Sequence, residues 1–279
     1  MSETFRRQMR ALATLVGTII GAGIFGVPFV ISRAGLAAGI MYFVLLGLVT
    51  TILHWYYGQI VLAIPERHRF PGFAGLLGGA TGRTLAAILG VLGGWLAITA
   101  YLILGGAFLN IIFGSVFGGT ELVWSLVFAL LGVLAVSGGL SRVSRSEIPL
   151  TLLLIGLLLF FVFRGLPLVD LSEIWSGSSQ YFFLPYGVIL FSLSGLAVIP
   201  ELEDILGNGQ RSALRRVIFA GTALATVLTA LFGIVMAGVT GPETTKDAIS
   251  GLLPVLGPWI VGAGALFGFL AVIPPILYF

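Results

Sequence analysis

The groups in this sequence best placed to hold a small polar solute are peptide groups rather than side chains. The stretch 12–33, LATLVGTIIGAGIFGVPFVISR, is apolar enough to cross a bilayer, yet Gly17, Gly21, Gly23, Gly26 and Pro28 crowd its middle. Glycine and proline weaken a helix by about 1 and 3 kcal/mol relative to alanine. Their concentration predicts a helix that breaks, with close packing through small residues as the plainer reading of the same glycines. A break frees N–H and C=O groups, which persist in lipid only against protein or a polar cavity. Gly21 lies eleven residues beyond Arg10, the last charge before the apolar run. At about 1.5 Å per residue that is roughly 16 Å, near the middle of a hydrocarbon layer about 30 Å thick.

The segment 181–206, YFFLPYGVILFSLSGLAVIPELEDIL, repeats the theme with Ser192, Ser194 and Gly195. Gly23, four residues and Pro28 are matched by Gly195, four residues and Pro200. Paired interrupted spans in two halves of a chain point to a transporter's binding site. A half-helix whose N-terminus faces the gap offers N–H donors and partial positive charge to an anionic group, and freed carbonyls suit an ammonium group. A zwitterion fits both ends without any charged side chain. Few ionisable side chains stand nearby. His54, beside Trp55, Tyr56 and Tyr57, is either a proton relay or a buried, hydrogen-bonded imidazole. Glu201 is a proton carrier, an inner-gate ion pair, or a group that snorkels to the interface beside Glu203 and Asp204.

Length and composition say what must position these groups. The chain has 279 residues, 58% hydrophobic and 9% charged, with a mean hydropathy of +1.12. A soluble domain carries about 25% charged residues, so this is a polytopic, all-α membrane protein. Eight spans are expected: 9–33, 38–64, 85–113, 122–140, 148–163, 182–206, 217–239 and 256–279. With the N-terminus inside, Arg6, Arg7, Arg10, Arg67, Arg69, Arg83, Arg142, Arg145, Arg211, Arg215 and Arg216 fall on inner segments. Only Arg33, Arg164 and Lys246 fall outside. That asymmetry is the positive-inside pattern and places the N-terminus in the cytoplasm. The glycine-rich 70–83 reads as an inner interfacial helix or loop, and Glu147 as an interfacial cap or a partner of Arg142 or Arg145. The absence of cysteine excludes disulfides and thiolate chemistry. No Walker loop, HExxH or metal-ligand cluster is present, and the glycines of span one do not follow a strand as a dinucleotide fingerprint requires. No catalytic residue, metal, cofactor or nucleic-acid partner is therefore expected.

At these two tracts the chain resembles a known superfamily. GTIIGAGIFGVPF (17–29) is similar to the first transmembrane helix of the amino acid–polyamine–organocation superfamily. FSLSGLAVIPELED (191–204) resembles the sixth helix, most closely in the amino acid/auxin and aromatic amino acid permeases. The resemblance implies a leucine-transporter-type fold of two inverted five-helix repeats within one domain over 1–279. The first repeat would occupy 9–163, and 182–279 would supply three helices of the second. About eight of the usual ten core helices are then present, and the record is expected to be truncated at its C-terminus.

Carried over residue by residue, the resemblance puts a substrate carboxylate at the amides of Gly21, Ala22 and Gly23, with Thr18 and Ile19 lining the gap. Phe191, Ser192, Ser194 and Gly195 would face it from span six. Leu196 and Ala197 leave room for a bulky apolar side chain, and Tyr101 matches a position where the family often has an aromatic hydroxyl near the substrate. Sodium-coupled relatives place hydroxyls in span eight. Here 268–277 reads GFLAVIPPIL, without one, so H+ coupling or exchange is expected and Na+ coupling is disfavoured. The expected activity is alternating-access transport of neutral, bulky or aromatic amino acids across the plasma (inner) membrane. The alternatives are a channel or a non-transporting scaffold, and a lipid-modifying membrane enzyme, for which no acid, base or metal cluster is evident.

Overall fold

The computed structural model describes the backbone of residues 2–64, 66–137, 147–207 and 209–276 and, save for 135–137, 147–150 and 270–276, their side chains. Arg142, Arg145, the side chain of Glu147 and the chain end at 277–279 lie outside the described residues.

The first span is two helices. Helix α1 (Glu3–Ile19) is capped by Ser2, whose hydroxyl accepts from the Phe5 N–H, and stops at the glycine cluster. A five-residue 3-10 segment, Ala22–Gly26, leads into α2 (Val27–Ala34), which Pro28 helps to start. The two parts are bent by 43°. Proline suits the first turn of a helix because its missing N–H would have no partner there. Helix α3 (Leu36–Ala63) is apolar on every side, and α4 (Phe70–Phe117) is the longest element. Gly79, at φ 63° and ψ −157°, separates the expected inner helix from the third span within α4. Next come α5 (Glu121–Ser137) and α6 (Glu147–Gly165), then a strap over 166–181 that contains the short α7 (Ser172–Trp175).

The sixth span is again divided, into α8 (Leu184–Ser192), a 3-10 turn Leu196–Val198, and α9 (Ile199–Leu206). Helices α10 (Arg211–Thr240), α11 (Leu253–Leu256) and α12 (Pro258–Ile276) complete the described chain. Among the described residues, five helical stretches are long and apolar enough to cross a membrane, the divided 179–206 counted as one of them, and the bent first span makes a sixth. The shorter apolar helices at Glu121–Leu134 and Pro258–Phe269 coincide with the fourth and eighth expected spans. Among the described residues, each of the eight expected spans thus contains helix.

Helix α10 forms the axis of the bundle and packs against α1, α2, α3 and α6. Its small residues allow this: a Cβ on Gly221 or Gly233 would meet Leu15 or Val27 side chains. In lipid such close approach supplies dispersion contacts that replace the hydrophobic drive available in water. By contrast α4 and α5 turn apolar side chains outward, among them Leu89, Trp95, Leu96 and Leu126, as lipid-facing helices must. The strap pins the C-terminal end of the first span. Ser178 N–H donates to the Arg33 carbonyl (3.1 Å), and a Cβ on Gly177 would overlap the Ala34 carbonyl carbon.

Candidate functional site

The two breaks share a spacing. A 3-10 stretch, Ala22–Gly26 in the first and Leu196–Val198 in the second, leads into a helix that begins at Val27 or Ile199 and has Pro28 or Pro200 within its first two positions. Each restarted helix is eight residues long and ends against a left-handed glycine, Gly35 (φ 89°) or Gly207 (φ 91°). Only glycine takes that conformation without a steric penalty.

The breaks also touch. A Cβ added to Gly23 would sit 2.7 Å from the Cα of Ser192 and 3.1 Å from the Phe191 ring. One on Gly195 would lie 2.7 Å from the Ile19 Cγ1. Main chain therefore crosses main chain, and Ile19, the last residue of α1, covers the second break.

Hydrogen bonding shows what the breaks leave open. Ile20 N–H donates to Val16 O and Gly21 N–H to Ile19 O, while Ile24 N–H returns to Gly21 O. Among the described residues, no acceptor takes the N–H of Ala22 or Gly23, and no donor reaches the carbonyls of Gly17, Thr18 and Ile20. In the second break Leu193 N–H donates to Ile189 O and Ser194 N–H to Phe191 O, leaving Leu196 and Ala197 N–H open. These are the donors that a helix start presents to an anion.

The sequence-predicted residues divide by position. Gly21, Ala22, Gly23, Ile19, Ser192 and Gly195 meet at the crossing. Tyr101, from the middle of α4, is buried with its ring 6.2 Å from that of Phe191 and so belongs to the same neighbourhood. The Thr18 hydroxyl is turned back to Thr14 O and that of Ser192 to Ile189 O. Phe191 and Ser194 are exposed, and Leu196 is half-buried. His54 is the buried, hydrogen-bonded imidazole that the sequence allowed: its Nδ1 lies 3.0 Å from Thr222 Oγ1, and its Nε2 accepts from the Gly195 N–H at 3.2 Å. Glu201 stands beyond the crossing, on α9. Its Oε1 lies 3.7 Å from Arg69 in a cavity of about 260 Å³ also lined by Glu66, Arg67, His68, Glu203 and Asp204.

Two residues were missed. Thr222 belongs to a hydroxyl stripe on α10 with Thr226 and Thr229, visible at helical spacing in the sequence. Thr151 fills the notch left by Gly17, where a Cβ would overlap its hydroxyl; nothing in the sequence pairs them.

Near the cavity, the Arg67–Asp204 pair (2.9 Å) is largely exposed, with side-chain exposures of 83% and 43%. Exposed pairs contribute about 0–1 kcal/mol. A double-mutant cycle on R67A and D204A is expected to give a coupling below about 1 kcal/mol that shrinks as salt is raised. A larger, salt-insensitive coupling would mean that the pair closes the inner mouth.

Among the described residues, five or six helices able to span a membrane, with the first and sixth expected spans interrupted where they cross, define an all-α polytopic membrane protein with open peptide groups at the crossing. The chain belongs to the transmembrane amino acid transporter protein family, whose model matches residues 7–274. A comparison with curated proteins gave no match.

Proposed function

We propose that this protein is a secondary active permease that moves neutral, bulky or aromatic amino acids by alternating access. The observation that carries the reading is the crossing of the two breaks, with the amides of Ala22 and Gly23 open beside it. The α-carboxylate binds the amides of Ala22 and Gly23, the Gly21 N–H expected beside them being held instead by Ile19 O, and the ammonium group binds the freed carbonyls of α1. Thr18, Ile19, Phe191, Ser192, Ser194, Gly195, Leu196 and Tyr101 surround the solute. Its apolar side chain rests near Leu196 and Ala197. The halves 9–163 and 182–279 act as inverted repeats, the second represented by three helices, and the N-terminus faces the cytoplasm at the plasma membrane. Transport is coupled to protons or runs as exchange, with His54 and Glu201 as the titratable groups nearest the path.

A channel or passive scaffold is the competing reading, and it calls for first and sixth helices that wind without interruption or for a wet pore through the protein. The test is uptake of radiolabelled leucine, phenylalanine, tyrosine and tryptophan into proteoliposomes, with and without an inward proton gradient. Saturable uptake of at least one, raised by the gradient or by an internal amino acid, is expected. Non-saturating flux of unrelated solutes, or no flux of any amino acid, rejects the proposal.

A further inference from the structure

We propose that His54 positions the second broken helix as a neutral imidazole holding the Gly195 amide, and that a proton taken up by the ring releases that amide. A backbone N–H can only donate, so the Nε2 facing it at 3.2 Å presents a lone pair. The ring proton is then on Nδ1, and the Thr222 hydroxyl 3.0 Å away accepts it. The ring is 1% exposed and bonds, among the described residues, to these two groups alone. A second proton would occupy the Nε2 lone pair and set two N–H groups face to face. Proton uptake and retention of the Gly195 amide therefore exclude each other. The proton comes from solvent, and the one interaction broken is the Gly195 hydrogen bond.

The contact sits where it can matter. A Cβ on Gly195 would meet both the Ile19 side chain (2.7 Å) and the His54 Cε1 (3.3 Å). Ile19 ends α1, so ring, second break and first break share one contact point. Among the described residues the matching place on the first break has no such clasp: no acceptor takes the Gly23 N–H. One break is thus left open for a ligand while the other is held by a titratable side chain.

Other ionisable groups on the elements around α3 lie towards the ends. They are Arg211, Arg215 and Arg216 on α10, Glu201, Glu203 and Asp204 on α9, Arg33 on α2, Glu173 on α7 and Tyr186 on α8. Tyr42, Tyr56 and Tyr57 lie on α3 itself. Arg215 stacks on Trp55 and Phe219, and Arg211 donates to Gln59. None of them hydrogen-bonds or ion-pairs with the ring among the described residues, which leaves the imidazole to answer to its own proton.

The consequence for transport rests on the permease reading, so the experiment separates the two. The full chain and H54Q are compared in proteoliposomes with labelled leucine, phenylalanine, tyrosine and tryptophan, by exchange at several pH values and by accumulation under a proton gradient. Glutamine keeps an acceptor for Gly195 but does not titrate. Gradient-driven accumulation is expected to fall roughly ten-fold in H54Q, and exchange to fall less and lose its pH dependence. Unchanged gradient-driven accumulation overturns the proposal. Ring 15N NMR in an H68N background, where His54 is the one histidine left, judges it without any transport: Nδ1–H with a bare Nε2 is expected in the neutral ring. A neutral ring protonated at Nε2 overturns it. A wild-type chain that exchanges none of the probes defeats the permease reading alone, and the NMR result still decides the role of His54.

Discussion

Replacing Gly23 by alanine is expected to remove most amino acid uptake while leaving the protein inserted and monodisperse. The new methyl would lie 2.7 Å from the Ser192 Cα and 3.0 Å from its Cβ. A flexible side-chain tip could move aside, but the main chain of a second helix cannot do so without separating the two breaks. Overpacking of this kind costs about 1–3 kcal/mol. If that cost falls on the bound state, affinity drops by roughly five- to 150-fold, since about 1.4 kcal/mol is a factor of ten. The control is Gly187→Ala on α8, where an added Cβ meets nothing within 4 Å; uptake there should match the wild type. Equal uptake by G23A and wild type would mean that the crossing does not shape the binding site.

Phe25→Ala should produce the largest loss of stability. Phe25 is fully buried in the 3-10 segment just past the first break. Its ring meets Phe108 at 4.8 Å, Phe267 at 5.3 Å and Phe232 at 6.2 Å, edge to face in each case. In a soluble core such a truncation costs about 3–5 kcal/mol, part of it transfer from water and part the cavity left behind. Between membrane helices the transfer part is small, because lipid is as apolar as the core. The cavity and the lost ring contacts remain, so a loss of about 2–3 kcal/mol is expected. Reversible unfolding in detergent measures it. Phe25→Leu, which keeps most of the volume, should lose less than about 1.5 kcal/mol. A loss below about 0.5 kcal/mol for F25A would show that the four rings do not tie the restarted helix to α4, α10 and α12.

Much of this could be read from local composition. Charge set the threading, and a cluster of weak helix formers at mid-span marked each break. The Gly79 interruption was expected only as a change from an interfacial segment to a span. Long-range partners are a different matter. His54 finds Gly195 and Thr222 across 141 and 168 residues of chain. One sequence shows that a mid-span histidine needs polar partners, not which backbone amide will supply them. The resemblance put Ile19 at the gap of the first span, and only the crossing makes it the cover of the second break. Glu201 was legible as a carboxylate near the inner face. Its pairing with Arg69 depends on how the loop after α3 folds beneath α9.

Helices α2 and α9, each opened by a proline and closed by a left-handed glycine, are short stiff levers with a pivot at both ends. Were either one to rotate, a few peptide units at its ends would absorb the turn and leave the neighbouring helices in register. Lengthening the lever is then more harmful than changing its outer face: one alanine inserted between Pro28 and Gly35 would swing every later residue about 100° around the axis. The same alanine placed between Gly209 and Gln210, both exposed, would be absorbed.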